Sequence, residues 1–306
     1  MTRADVLLAA ERLAGLVERT PLIESSVGWL KCECLQTGGS FKLRGATNRL
    51  LQLSEAERER GVVAFSSGNH AQGVSIAAER LGIPATIVMP ADAPAIKVEG
   101  TRSHGAEIIF YDRLTESREE IAGALGRERG CVVVPSFDDD MIVAGQGSTG
   151  IEILEQMPHP PERIVIPCGG GGLAAGIALA CPDAEIFIVE PEGWDDMRRS
   201  LAGNAIVPVE PGPPPTLCDA LQTMIVSPIT FGILKARNAT ALAVSESQVR
   251  DAVRWAWVEH QLVVEPGGAV GLAAILAGLV PAGEGTVAVL SGGNIDPALH
   301  AEIIEA

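Results

Sequence analysis

Short apolar runs alternate with longer amphipathic stretches along most of this chain. Residues 61–65, 85–89, 107–110 and 131–134 are brief, β-branched and poor in polar side chains, the pattern of strands buried on both faces. Between them, residues 69–81, 95–104 and 114–129 have helical length. After the acidic patch at Asp138, Asp139 and Asp140 a second series follows: a helix at 144–156, a strand at 163–167, a helix from Gly172 and a strand at 185–189. It resumes with helices at 245–261 and 267–277 and a strand at 286–290. Such alternation implies βαβ crossovers, and the two series predict an α/β protein with two open parallel sheets. Residues 207–215 hold five prolines in nine positions and are expected to be an irregular surface connection. No internal repeat is present.

Composition narrows the class. A chain of 306 residues, 47% hydrophobic and 20% charged, is long enough for two lobes with real cores and is not a disordered protein. The net charge of −16 argues against nucleic acid or an anionic membrane as partner. Arg3, Asp5, Glu11 and Arg12 interrupt the first apolar residues, which read as an amphipathic helix and not a leader, and no apolar run reaches the length of a bilayer span. The six cysteines form no C-x-x-C and no zinc spacing, so a reduced, cytoplasmic protein is expected.

Glycine, at 34 residues, gathers at strand-to-helix junctions, where α/β proteins bind ligands. Gly169, Gly170, Gly171 and Gly172, followed by Leu173, lie between a strand and a helix. Amides free of Cβ atoms at a helix start form an anion cradle. The run is neither G-x-G-x-x-G nor a P-loop, which disfavours a dinucleotide or triphosphate; a tight turn is the plainer alternative. In Gly38-Gly39-Ser40-Phe41-Lys42-Leu43-Arg44-Gly45 a lysine opens a helix. There the helix dipole opposes its charge and would depress its pKa, as an amine nucleophile requires. Ser66-Ser67-Gly68-Asn69-His70 is a polar loop at a helix start, for which simple capping by Ser67 or Asn69 is the bland reading. Ser291-Gly292-Gly293-Asn294 ends a late strand.

A phosphate cradle, a helix-start lysine and hydroxyl-bearing loops together point to pyridoxal phosphate. These motifs, with Ala144-Gly145-Gln146-Gly147, resemble in order and separation the fold-type II pyridoxal-phosphate enzymes, within them the threonine/serine dehydratase and serine racemase group; the likeness runs from Thr20-Pro21 to about Asp296. The resemblance implies a tryptophan synthase β-like fold, with residues 1–60 and 138–306 as a large cofactor-binding domain and 61–137 as a small mobile domain carrying the substrate-carboxylate loop. It implies that Lys42 carries the cofactor beside Phe41, that Gly169 to Gly172 and Leu173 hold its phosphate, and that Asn69 bonds its 3′-oxygen. Ser291 would face the pyridine nitrogen; a neutral hydroxyl there leaves a weaker electron sink and favours β-elimination over transamination. Ser66, Ser67, Asn69 and His70 would receive the substrate carboxylate, and Ser67 would handle a proton on the face opposite Lys42.

The same resemblance implies a divalent cation, Mg²⁺, Ca²⁺ or Mn²⁺, on Glu190, the Trp194 carbonyl and Asp196, for which a solvated acidic helix start is the alternative. Arg118 falls near the substrate end and could pair with a second carboxylate or stand as a solvated arginine. Its neighbours three and four residues away offer no ion-pair partner. Thr223 takes the place of a serine near the substrate. Three departures stand out: Thr37 and Gly38 where racemases have nucleotide-binding residues, Cys218-Asp219-Ala220 where relatives read Ala-Asp-Gly, and a shorter segment between Pro21 and Lys31. The chain ends ten residues after Asp296, so no C-terminal regulatory domain is expected. The activity implied is a dehydratase (ammonia-lyase) acting on serine, threonine or 3-hydroxyaspartate, in a homodimer. The alternatives are an amino-acid racemase with the same cofactor and a non-catalytic metabolite-binding relative.

Overall fold

The computed structural model describes residues 1–66, 68–93 and 95–305. In chain order, α1 (Arg3–Leu13) leads into a hairpin of β1 (Leu22–Ser25) and β2 (Gly28–Lys31), then α2 (Lys42–Leu51) and α3 (Glu55–Arg60). A βα series follows: β3 (Val62–Phe65), α4 (Asn69–Leu81), β4 (Ala85–Pro90), α5 (Ala95–Arg102), β5 (Glu107–Tyr111), α6 (Arg118–Arg129) and β6 (Val132–Val133). The second series comprises α7 (Asp140–Gln156), β7 (Arg163–Pro167), α8 (Gly172–Ala180), β8 (Glu185–Pro191) and α9 (Asp196–Gly203). The chain then runs through α10 (Pro228–Ala236), β9 (Thr240–Val244), α11 (Glu246–His260), α12 (Pro266–Leu276), β10 (Thr286–Val289) and α13 (Pro297–Glu305).

Two sheets result. One has the order β1-β2-β10-β7-β8-β9, the other β5-β4-β3-β6. The two parallel sheets expected are present, with one antiparallel addition, the β1–β2 hairpin at an edge of the larger sheet. A hairpin needs only a two-residue connection where a parallel neighbour would need a crossover. Helix α6 starts at Arg118, four residues after the expected Leu114, because the Ser117 hydroxyl caps it by accepting from Glu120 N–H. Residues 207–215 contain no helix or strand, consistent with their prolines.

Helix α7 binds the site-bearing helices together. Its Gly145 lies so close to α2 that a Cβ there would stand 2.7 Å from the Gly45 Cα, and a Cβ on Gly147 would stand 2.7 Å from the Gly176 carbonyl of α8. The Gln146 side-chain oxygen accepts from Gly45 N–H at 3.1 Å. Small residues here let backbones touch. A buried ion cluster also ties α2 to α7 and to the Glu33 turn. Arg44 meets Glu33 through Nε and Nη2 at 2.7 and 2.8 Å, and Glu152 through Nη1 at 2.6 Å. Lys31 donates to Glu152 at 2.5 Å and to the Thr20 carbonyl at 2.8 Å. The side chains of Lys31, Glu33 and Arg44 are fully buried, and two positive charges balance two negative ones.

Candidate active site

The chain has four lysines, and their surroundings separate them. Lys31 is saturated within the ion cluster, Lys97 pairs with Asp219, and Lys235 lies over the Phe231 ring. Among the described residues Lys42 makes one long hydrogen bond, to the Ser136 carbonyl at 3.4 Å. A β-bridge between Ser40 and Gly292 and a hydrogen bond from Phe41 N–H to the Ser291 carbonyl, 3.2 Å, fix the chain just before it. The Phe41 ring lies 5.1 Å from the Lys42 ammonium. Burial lowers the Lys42 pKa to about 8, with the Glu265 carboxylate opposing the shift. The depression anticipated from a helix start is present, but desolvation is its cause.

The Ser136 segment connects this amine to the glycine loop. Phe137 packs so tightly on Gly170 that a Cβ there would lie 2.2 Å from its ring, and Gly171 has φ +83°. Helix α8 has no side-chain cap. Among the described residues, the amides of Gly169, Gly170, Gly171, Gly172 and Leu173 have no protein acceptor, the condition for an anion cradle. Thr223 stands beside this loop, its hydroxyl 3.1 Å from where a Gly169 Cβ would be. Ser291 is buried and donates its amide to the Gly268 carbonyl.

A second uncapped helix start faces the same region. The N-cap of α4 is Gly68, without a side-chain bond, and the Gly68 amide donates to the Ser66 hydroxyl at 3.2 Å. Asn69 therefore does not cap the helix: its Nδ2 donates to Glu265 at 2.6 Å while its Oδ1 accepts from Asn294 at 2.8 Å. Ser67 lies outside the described residues. His70 Nε2 is 2.9 Å from the Val134 carbonyl, which can only accept, so that nitrogen carries the proton and the buried Nδ1 is bare. Burial and the Lys42 charge lower its pKa to about 3. A neutral ring offers no cation to a carboxylate, leaving His70 only its main-chain amide for that task.

Glu265, buried beside Asn69, is the residue the sequence reading missed. A carboxylate immediately before Pro266-Gly267-Gly268, at the start of an otherwise apolar helix, was the available signal. Arg118 is half-exposed, pairs with its immediate neighbour Glu119 at 2.8 Å, and lies 5.7 Å over the Phe65 ring. As the sequence implies, no partner lies one helical turn away; the ion pair is with the adjacent residue.

At the end of β8, Glu190 is fully buried and accepts from the amides of Met197 and Arg198 at 3.0 and 2.8 Å. By taking the Arg198 amide it leaves the Trp194 carbonyl without a donor among the described residues. Among the described residues both Asp196 carboxylate oxygens are buried without a hydrogen-bond partner of good geometry, though the Val226 and Asp196 amides lie near enough to favour its charge. Burial pushes the Asp196 carboxyl up to about 6 and Glu190 well above the usual range. This is no solvated helix start. Among the described residues no group of three or more His, Cys, Asp or Glu side chains is arranged around a common point, so a cation here would rest on two carboxylates and a carbonyl.

Residues 13–292 match the family model described as pyridoxal-phosphate dependent enzyme. The chain belongs to this family. It is 42% identical, over 98% of both chains, to an L-threo-3-hydroxyaspartate ammonia-lyase of Pseudomonas sp.. It is 41% identical to an L-threonine ammonia-lyase of Thermotoga maritima, over 97% of this chain and 76% of that one. The structure of maize serine racemase superposes with a TM-score of 0.92 at 34% identity, covering 99% of this chain and 97% of that one. The residues fit the family's cofactor. They offer a poorly solvated amine, a run of glycine-loop amides without a protein acceptor among the described residues, and an Asn69 amide with one N–H still unassigned.

Proposed function

We propose that this protein is a pyridoxal-phosphate dependent ammonia-lyase that eliminates the β-hydroxyl of a 3-hydroxy amino acid, with serine, threonine and 3-hydroxyaspartate as the substrate class. The observation that carries the reading is Lys42: alone among the four lysines it is buried with an acidified amine and no carboxylate bound to it. Lys42 would hold the cofactor covalently, and the amides of Gly169 to Leu173 its phosphate. Phe41 would flank it, Asn69 would donate to its oxygen-bearing edge, and Ser291 would present a neutral hydroxyl to its ring nitrogen. When bound, the cofactor supplies an electron sink for charge developing at the substrate Cα.

The protein's own part follows from its groups. Ser66, the helix amides at Asn69 and His70, and Ser67 would fix the substrate carboxylate, orienting the Cα–H toward Lys42. With its pKa near neutrality, the free amine of Lys42 is suited to remove that proton. Loss of the β-hydroxyl as water then gives an enamine, whose hydrolysis in solvent yields a 2-oxo acid and ammonia. Arg118, stacked on Phe65 one residue before Ser66, is the proposed partner of a second substrate carboxylate, and Thr223 a hydroxyl near the substrate. Glu190, the Trp194 carbonyl and Asp196 are the proposed ligands of Mg²⁺, Ca²⁺ or Mn²⁺. A cation there would satisfy the Asp196 oxygens, which have no well-formed hydrogen bond among the described residues.

Racemisation is a second reading, favoured by the likeness to maize serine racemase; Ser67 would then serve the opposite face of Cα. A panel of single enantiomers, assayed for ammonia, 2-oxo acid and the opposite enantiomer with and without Mg²⁺, separates the two. Ammonia and 2-oxo acid in equal amounts are expected; inversion without ammonia release would overturn the lyase reading.

A further inference from the structure

Four polar groups form a chain across the site. The Asn294 amide donates to the Gly38 carbonyl and to Asn69 Oδ1, each at 2.8 Å, and Asn69 Nδ2 donates to Glu265 Oε1 at 2.6 Å. Glu265 is held by its own backbone: its amide donates to the Gly292 carbonyl, and its carbonyl accepts from Gly268 and Ala269. Its carboxyl lies flat on Gly292, where a Cβ would stand 2.2 Å from Oε1 and 3.2 Å from Asn69 Nδ2. The Asn69 side chain thus has its oxygen and one of its two N–H groups committed. The direction of the remaining N–H is set by geometry.

We propose that Glu265 is a positioning residue: by accepting from Asn69 Nδ2 it turns the Asn69 amide so that its second N–H addresses the oxygen-bearing edge of the cofactor. The inference rests on the reading of Asn69 given above and adds the residue that enforces it. Without Glu265, the amide keeps its bond to Asn294 but loses the contact that fixes its donor end. Burial and the charge of Asp219 raise the Glu265 pKa to about 8, against the bond from Asn69 and the charges of Lys97 and Lys42. Burial thus favours the neutral carboxyl, and glutamine keeps both its acceptor oxygen and its volume.

The test uses the holoenzyme and reads two quantities: kcat, and the pH midpoint of the visible absorbance change of the bound cofactor. Asn69→Ala, Glu265→Ala, Glu265→Gln and the double Asn69→Ala/Glu265→Ala variant are compared at equal cofactor content. Glu265→Met, which keeps the volume without an acceptor, replaces the alanine variant if that one unfolds. The expected result is a shift of the midpoint in Glu265→Ala of the same sign as in Asn69→Ala, a kcat loss of up to roughly 10-fold, near-parental values in Glu265→Gln, and no added effect in the double variant. An unmoved midpoint in Glu265→Ala or Glu265→Met while Asn69→Ala shifts it, or full additivity in the double variant, overturns the role of Glu265. If Asn69→Ala itself leaves the midpoint unchanged, the reading of Asn69 fails and the inference falls with it.

Discussion

The cluster around Arg44 and the pair Glu190 and Asp196 both bury charge, and they differ in completeness. Arg44, Lys31, Glu33 and Glu152 account for one another, with the Thr20 and Gln156 side chains and the Thr20 carbonyl filling the remaining valences. Among the described residues the Asp196 carboxylate has no side-chain donor or hydrogen-bond partner of good geometry, and Lys42 has one hydrogen bond, to a distant carbonyl. A buried charge without a partner is too costly to be scaffolding. The saturated group therefore reads as the frame that holds α2 against α7, and the unsaturated groups as places where something outside the protein completes the chemistry.

This contrast can be broken at several points. Lys42→Ala removes the nucleophile and the base together and is expected to reduce ammonia release by about 10⁴-fold or more, with the fold, read by circular dichroism, unchanged. Arg44→Met strips the buried Glu33 of both guanidinium hydrogen bonds, leaving it the Thr20 hydroxyl and the Lys31 charge; urea unfolding is expected to show a loss of about 3–5 kcal/mol. A loss below about 1 kcal/mol would mean the cluster is not a frame. Asp196→Ala should behave oppositely: without divalent cation it is neutral or stabilising, because an unpartnered buried carboxylate has gone. Saturating Mg²⁺ or Mn²⁺, at about 100 times its dissociation constant, should stabilise the parent by about 2.7 kcal/mol and the variant not at all. Thermal midpoints with and without chelator read this directly, and equal responses in both proteins would sink the cation site. Arg118→Ala should lower kcat/KM for 3-hydroxyaspartate by about 10-fold or more while leaving serine unaffected.

The pH dependence of Lys42 sharpens the same contrast. Its pKa lies at about 8 in place of 10.5. The amine is protonated and unreactive below that value and free above it. Capture of added pyridoxal phosphate by the apo-protein should thus accelerate with pH through a midpoint near 8; a midpoint near that of an ordinary lysine, about 10.4, would mean that burial does not act on this amine.

Local pattern carried the strands, the helix starts and the glycine loops into view, because each depends on neighbours in sequence. Residues 163–167 read as a strand and residues 69–81 as a helix from their apolar spacing alone, and both are found at those bounds. What the sequence did not reveal depends on partners far along the chain. Asn69 meets Glu265 across 196 positions and Asn294 across 225, so neither periodicity nor capping preference could assign its amide. Arg44 looked like part of a motif around Lys42, whereas its guanidinium serves Glu152, 108 positions away. The β1–β2 hairpin escaped notice because its strands are four residues each and carry polar positions.

The central claim is that Lys42 is the amine that holds the cofactor. Borohydride reduction of the holoenzyme followed by peptide mass mapping tests it directly, since the chain offers three other lysines as internal controls. The account predicts one pyridoxyl group per chain, on Lys42, and no mass increase in Lys42→Ala. A pyridoxyl group on Lys31, Lys97 or Lys235, or a visible band unchanged in Lys42→Ala, would contradict it.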